Sequence, residues 1–311
     1  MRSLVVGCGQ LGLALVGALG DETQIAREVP WADQRATRRR LEQVAGDFVA
    51  SCEGRRWLVC WSAGAGTLTT AEEALARERA ALFSFIDALS GAPGFDPTRG
   101  SFFLASSAGG IYASGDGEVK TELSEPHPMS DYGESKLIQD SRVADWAQTT
   151  GVRTMIGRIS NLYGPRQNLG KPQGFISHLC AAIAKRTSFT LAVPASTIRD
   201  FVYTDDVAAR VSMWAQLPPE GESTAEVKIL AAGRSVTLGN VVAMTTAVAR
   251  TPVRVHISSG AAPVWQPPAL RFRSHVLTRL ERSCPERSLE EGIRGTWMKA
   301  LRSLEGSGRH N

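Results

Sequence analysis

The chain has 311 residues, of which 43% are hydrophobic, 21% charged and 7% aromatic. That length and composition bury a large core and exclude disordered, fibrous and repeat-array classes. The formal net charge of +4 comes from arginines that are scattered apart from Arg38-Arg39-Arg40, with no interleaved aromatics, which argues against a nucleic-acid binder. Cys8, Cys52, Cys60, Cys180 and Cys284 have neither paired nor metal-ligand spacing and read as reduced thiols. No apolar run reaches membrane-spanning length, and the N-terminal strand runs into a glycine turn without a leader pattern. The expectation is a soluble, cytoplasmic protein with no metal site and no membrane partner.

Strand-length apolar runs at 3–6, 24–29, 57–61, 101–105 and 154–159 alternate with helical patterns at 11–19, 36–51, 71–89 and 131–149. Such alternation predicts βαβ units, and hence an α/β fold with a doubly wound parallel sheet covered on both faces. Beyond Gly164-Pro165 the pattern loosens. A helix at 175–185 precedes strand-like 189–193 and 201–202, a helix at 205–215, a Pro/Gly/Glu loop at 217–224 and a strand at 228–231. A Pro- and Arg-rich stretch from 261 ends in a helix at 289–303. The expected division is a dinucleotide-binding domain over 1–165, a substrate-binding cap over 166–304 partly intertwined with the sheet, and a frayed tail over 305–311.

The first strand leads directly into Gly7-Cys8-Gly9-Gln10-Leu11-Gly12, a GxGxxG run that opens a helix. Glycines there permit a tight turn and let backbone N–H groups approach a pyrophosphate at the helix N-terminus. Gly7, Gly9, Gln10, Leu11 and Gly12 are therefore candidate cofactor contacts. The motif alone is weak, but between a strand and a helix it is much more specific. The second strand ends in Ile25-Ala26-Arg27-Glu28-Val29. Arg27 would pair with a 2′-phosphate, favouring NADP, and Glu28 would hold a ribose hydroxyl, favouring NAD; either is equally readable as a solvated strand end. The cofactor is NAD or NADP.

Tyr132 and Lys136 stand four apart on a predicted helix and so share a face. A free tyrosine phenol is a poor acid–base at neutral pH, and a neighbouring ammonium favours its phenolate. Ser106-Ser107-Ala108-Gly109-Gly110 follows the fourth strand, at the carboxyl edge where open α/β sheets bind ligands. Ser107 would hydrogen-bond a substrate oxygen beside the tyrosine. Taken singly, the pair is an ordinary amphipathic surface and the serine run an ordinary turn.

Together these segments resemble the extended short-chain dehydrogenase/reductase family, the NAD-dependent epimerase/dehydratase group acting on nucleotide-sugars. The resemblance rests on five ordered blocks: Gly7–Gly12, Ser106–Tyr112, Tyr132–Lys136, Arg158-Ile159-Ser160-Asn161-Leu162-Tyr163-Gly164-Pro165, and Arg199-Asp200-Phe201-Val202-Tyr203-Thr204-Asp205-Asp206-Val207-Ala208. It implies a Rossmann fold in which Tyr132, Lys136 and Ser107 are catalytic. Trp61, Ser62, Ala63, Gly64, Ser106 and Ile159 would join the cofactor contacts, while Asn161, Arg199 and Arg271 would bind substrate, Arg199 through the diphosphate. The family's dimer, built from two long helices of each subunit, implies a homodimer through helices 71–89 and 131–149. The spacing departs from the family in one place. About fifty residues separate Gly12 from Trp61, fewer than the family has, and Gly46-Asp47 is the only candidate for the third strand's Gly-Asp signature.

Dehydratases of this family carry an Asp-Glu pair directly after the catalytic hydroxyl, whereas Ala108-Gly109-Gly110 follow Ser107 here. The expected reaction is therefore epimerisation or keto-sugar reduction of a nucleotide-sugar by hydride transfer, with Tyr132 as acid–base. Two alternatives stand beside it: reduction of a small non-nucleotide carbonyl compound, and a non-catalytic dinucleotide-binding scaffold or redox sensor.

Overall fold

The computed structural model describes residues 1–114, 117–171, 173–218, 224–258 and 266–307. In the first half β1 (Arg2–Val6), α1 (Gln10–Leu19), β2 (Thr23–Ile25), α2 (Gln34–Cys52), β3 (Trp57–Trp61), α3 (Glu72–Gly91) and β4 (Gly100–Ser107) follow one another. One helical turn, α4 (Ala108–Ile111), and short β5 (Val119–Lys120) precede α5 (Asp131–Thr150), β6 (Arg153–Ile159) and β7 (Asn161–Tyr163). The second half runs α6 (Phe175–Ala184), β8 (Phe189–Leu191), β9 (Ile198–Tyr203), α7 (Thr204–Gln216), β10 (Ala225–Leu230), β11 (Ser235–Thr237), α8 (Leu238–Ala249) and β12 (Val255–Ile257). It closes with β13 (Arg271–Phe272), α9 (Arg279–Ser283) and α10 (Leu289–Ser307).

Six strands pair in the order β2-β1-β3-β4-β6-β10, and every pairing is parallel. Alternating side chains explain why these strands read as almost unbroken apolar runs. Leu4, Val6, Val59, Trp61, Phe102 and Leu104 face α2, α3 and α5. Val5, Leu58, Cys60, Phe103 and Met155 face α1 and α7 on the opposite side. The sheet is thus doubly wound, a Rossmann architecture. A separate apolar cluster joins α6, α8 and α10 to β8 and β9 and forms the cap. Residues after 165 also return α7 and β10 to the main sheet, so the two halves of the chain interleave.

The structure corrects several sequence expectations. The strand expected at 24–29 stops at Ile25, and Glu28 lies in the left-handed region at φ +56°. Gly46-Asp47 is not a strand end but part of α2, which buries Leu41, Val44, Ala45, Phe48 and Val49. No strand therefore lies between β2 and β3 among the described residues, and β2 is the sheet's edge. The stretch from Ser235 to Ile257, unassigned from sequence, holds β11, α8 and β12, with Thr237 capping α8 by accepting from Asn240 N at 3.1 Å. Helix α10 continues to Ser307, past the boundary expected at 304, and residues 308–311 lie outside the described residues. Parts of the expected loop at 217–224 and of the stretch from 261 also lie outside them.

Candidate active site

The glycine loop has the geometry that a dinucleotide cradle requires. Gly7 sits at φ +102°, and a Cβ there would collide with the backbone of Ala63. A Cβ at Gly12 would collide with Gly7 O, so the helix packs tightly under the turn. Gly9 precedes α1 as its N-cap and faces open space. Gln10 opens the helix with its Oε1 buried and unpaired, whereas the Leu11 side chain packs into the core, leaving only its backbone for a cofactor. Across from the loop, Ser62 Oγ donates to Gly7 O at 2.9 Å and locks the β1 and β3 ends together. Trp61 is buried at the end of β3. A cavity of about 470 Å³ opens there, lined by Gly7, Gly9, Trp61, Ser62, Ala63 and Gly64 together with Trp31, Thr37 and Arg38 of the α2 side.

Ser107, Tyr132 and Lys136 converge at the carboxyl edge of the sheet. Ser107 caps α4, its Oγ accepting from Gly110 N at 3.1 Å. That bond uses an oxygen lone pair and leaves the hydroxyl hydrogen free to donate. A Cβ built on Gly110 would lie 3.0 Å from Tyr132 Cε1 and 3.3 Å from Ser107 Oγ, so the phenol ring and the hydroxyl flank one glycine. Gly133 allows the same close approach from α5, because its Cβ would collide with Gly110 O. Lys136 is buried, with Nζ 5.9 Å from the Tyr132 ring centroid and donating to Gln139 Oε1 at 3.2 Å.

Below this group lies a buried ionic network. Arg158 Nε donates to Asp140 Oδ2 at 2.9 Å, and Arg158 Nη1 donates to Tyr112 Oη. Burial pushes the Asp140 carboxyl up, against the opposing pull of Arg158. Ser106 is buried beside the network and Ile159 lies in the core at the end of β6.

The substrate-side candidates divide. Asn161 on β7 spends its amide on Asp200 O at 2.9 Å. Arg199 is largely buried on β9, and among the described residues its guanidinium donates to the carbonyls of Ile198 and Pro267. Burial pushes its pKa down to about 10, with no carboxylate among the described residues to compensate. Arg271 on β13 donates to Gly117 O at 2.8 Å and so ties the cap segment to the loop before β5. Arg27 lies exposed just past β2 and outside any strand.

Sequence reasoning missed Glu78 on α3. Its Oε1 accepts from Ala65 N at 2.6 Å and Gly66 N at 2.8 Å, pinning the loop that follows β3. A Cβ on Gly64 would lie 3.4 Å from Glu78 Oε2 and 3.8 Å from Lys136 Nζ, so the loop is held between these two charges. In the sequence Glu78 is one of several charged residues on an amphipathic helix, and no spacing singles it out. Trp31 was also missed; it stands 45% exposed after β2, edge-on to Trp61 at 6.4 Å between centroids.

A doubly wound sheet with a glycine loop at its first βα turn defines a dinucleotide-binding protein of the Rossmann class. The chain belongs to the NAD dependent epimerase/dehydratase family, whose model matches residues 4–229. It is 31% identical over 109 residues to a dTDP-L-rhamnose 4-epimerase of Burkholderia thailandensis, a match covering 35% of this chain and 30% of that protein. The matched stretch thus spans about a third of the length of the curated relatives. Two solved structures share the fold over nearly their whole length. UDP-glucuronic acid 4-epimerase of Bacillus cereus, in complex with UDP-glucuronic acid and NAD, has a TM-score of 0.79 and 17% identity, with 97% of this chain and 100% of that one covered. RMD from Pseudomonas aeruginosa, complexed with NADPH, has a TM-score of 0.75 and 20% identity, with coverage of 97% and 100%.

Proposed function

We propose that the chain is a cytoplasmic NAD(P)-dependent epimerase or ketoreductase of a nucleotide-sugar, with Tyr132 as acid–base. The observation that carries this reading is the meeting of Ser107 and Tyr132 at Gly110, beside the buried Lys136 ammonium. A nicotinamide dinucleotide, when bound, supplies the hydride acceptor and donor. Gly7, Gly9 and the first N–H groups of α1 hold its pyrophosphate, and Ser62, Ala63 and Gly64 flank it. Tyr132 Oη takes the proton of the reacting sugar hydroxyl as the carbon–hydrogen bond breaks, and returns it on re-reduction. Ser107 donates its free hydroxyl hydrogen to the same sugar oxygen. Lys136 stabilises the phenolate by charge.

The absence of a carboxylate directly after Ser107 favours epimerisation or reduction over dehydration. Arg199 supports a substrate carrying a diphosphate, since a buried guanidinium whose partners among the described residues are carbonyls retains donors and charge for an anion. The same reading includes a homodimer through α3 and α5, whose outward sides carry Ile138 and the half-buried Phe83. The test is incubation of the protein with UDP-glucose or UDP-glucuronic acid and either dinucleotide, with products separated by anion-exchange chromatography. Interconversion of 4-epimers or oxidation of NAD(P)H with the matching keto-sugar is expected. No turnover together with no binding of UDP would remove the nucleotide-sugar assignment.

A further inference from the structure

We infer that the adenosine end of the cofactor site is built for a 2′-phosphorylated dinucleotide, NADP(H), with Arg27 as the residue that takes the phosphate. The inference rests on the dinucleotide site proposed above and assigns its specificity.

In a Rossmann fold the adenosine ribose lies at the carboxyl end of the second strand, where an acidic side chain grips the 2′-hydroxyl of NAD or an arginine accommodates the 2′-phosphate of NADP. Here β2 pairs with β1 through Val5 and Ile25, and Ala26 N continues the ladder by donating to Val5 O at 3.0 Å. The residue level with the start of the glycine loop is thus Ala26, a buried methyl that offers ribose hydroxyls nothing. Arg27 follows it, exposed, and no hydrogen bond or ion pair occupies its guanidinium among the described residues.

A second cation is already parked at the same spot. Arg40, reaching back from α2, donates from Nε and Nη2 to the Arg27 carbonyl at 3.3 Å each. Arg38 lines the cavity two residues earlier, although Glu42 pairs with it at 2.7 Å. Among the described residues neither Arg27 nor Arg40 pairs with a carboxylate, although Arg40 Nη1 also donates to Gln43 Oε1 at 3.1 Å. α2 follows β2 after the connection 26–33, and its Arg38 lines the cavity while its Arg40 reaches the Arg27 carbonyl. Trp31, in the same short connection, presents an exposed indole to the cavity, a surface on which an adenine would stack.

The experiment is a fluorescence titration of the full chain with NADPH and with NADH, repeated on Arg27→Ala, Arg27→Asp and Trp31→Ala. A charge-assisted contact of about 1.5–3 kcal/mol corresponds to roughly tenfold or more in affinity. NADPH should bind at least about tenfold tighter than NADH, and Arg27→Ala should remove most of that gap with NADH affinity unchanged. Arg27→Asp should reverse the preference, and Trp31→Ala should weaken both dinucleotides alike. Equal or tighter binding of NADH by the unaltered chain overturns the inference and returns the ribose to Glu28. So does an Arg27→Ala variant that loses both dinucleotides equally. Binding of neither dinucleotide overturns both the inference and the functional reading beneath it.

Discussion

Arg199 and Asp200 are adjacent on β9 yet share no bond, because successive side chains of a strand point to opposite faces. Asp200 accepts from Ser160 Oγ at 2.8 Å, Ala232 N at 2.9 Å and Arg234 N at 3.0 Å, and so stitches the ends of β6 and β10 to β9. Asp206, the other nearby carboxylate of the block, is bound by the backbone and guanidinium of Arg287. Among the described residues Arg199 thus has no salt bridge with Asp200 or Asp206 that would give it a structural role.

Arg199→Met should weaken binding of UDP by about one to two orders of magnitude, the equivalent of one lost charge-assisted hydrogen bond. Dinucleotide affinity should be unchanged, since Gly7–Gly12 lie at the other end of the site. Because the wild-type cation is buried and uncompensated, the variant should also melt no lower than the parent in the absence of ligand. Calorimetric titration with UDP and a thermal melt check both parts. A lower melting temperature with unchanged UDP binding would return Arg199 to a purely structural role.

Tyr132→Phe should cut turnover severely, by about a hundredfold or more, while leaving NAD(P)H affinity nearly unchanged, because only the proton-transfer oxygen is removed. Gly110→Ala reaches the same site from beneath. Its new Cβ would press on the Tyr132 ring and crowd Ser107 Oγ, separating the two groups without deleting either. Turnover should fall, with dinucleotide binding retained. Steady-state rates beside NAD(P)H titrations decide the point, and full activity in Gly110→Ala would show that the present spacing is not required.

The sheet was legible because strands buried on both faces are written as continuous apolar runs, and β3 over Trp57–Trp61 was placed to the residue. The end of β2 was not legible. Ile25-Ala26-Arg27-Glu28-Val29 retains a strand-like pattern, yet β2 ends at Ile25 and Glu28 takes a left-handed backbone conformation that the pattern does not signal. The short elements of the cap escaped for a different reason: β11 and β12 have only three residues each, too few for any periodicity to register. At the site, Tyr132, Lys136 and Ser107 could be proposed from their spacing and position. Glu78 could not, because its role depends on the loop Ala65-Gly66 folding back over α3. Arg271 could be proposed from its position, but its Nη1 bond to Gly117 O could not, because it depends on β13 lying against the loop before β5.

A dimer through α3 and α5 predicts that Ile138→Glu shifts the protein towards monomer. Arg142 and Asp87 already pair at 2.5 Å across these two helices, and Arg142 lies 5.8 Å from the Phe83 ring centroid, so the face is ordered within one subunit. Ile138 is the one large apolar residue on either helix that is strongly exposed among the described residues. Placing a charge there would oppose burial of that face. Light scattering at micromolar concentration should report a dimer for the parent and a smaller species for the variant. A monomeric parent would remove the dimer.

The network beneath the active site leads to the last expectation. Asp140 is one turn beyond Lys136 on α5, and its pair with Arg158 is almost fully enclosed, with side-chain exposures of 4% and 8%. Tyr112 completes the group, its ring centroid 5.1 Å from the guanidinium. Removing one member of a buried pair leaves the other charge without compensation, which costs about 3–5 kcal/mol, whereas replacing both by apolar groups is often neutral. Asp140→Leu should therefore destabilise strongly, and Asp140→Leu combined with Arg158→Met should recover much of that loss. Urea denaturation of the two single variants and the double variant measures the coupling. The double variant should fold yet turn over more slowly than the parent, because Lys136 sits one turn earlier on the same helix face and would lose a rigid foundation. Additive losses of stability would show that Asp140 and Arg158 act separately. Parental turnover in the double variant would confine the network to holding the fold together.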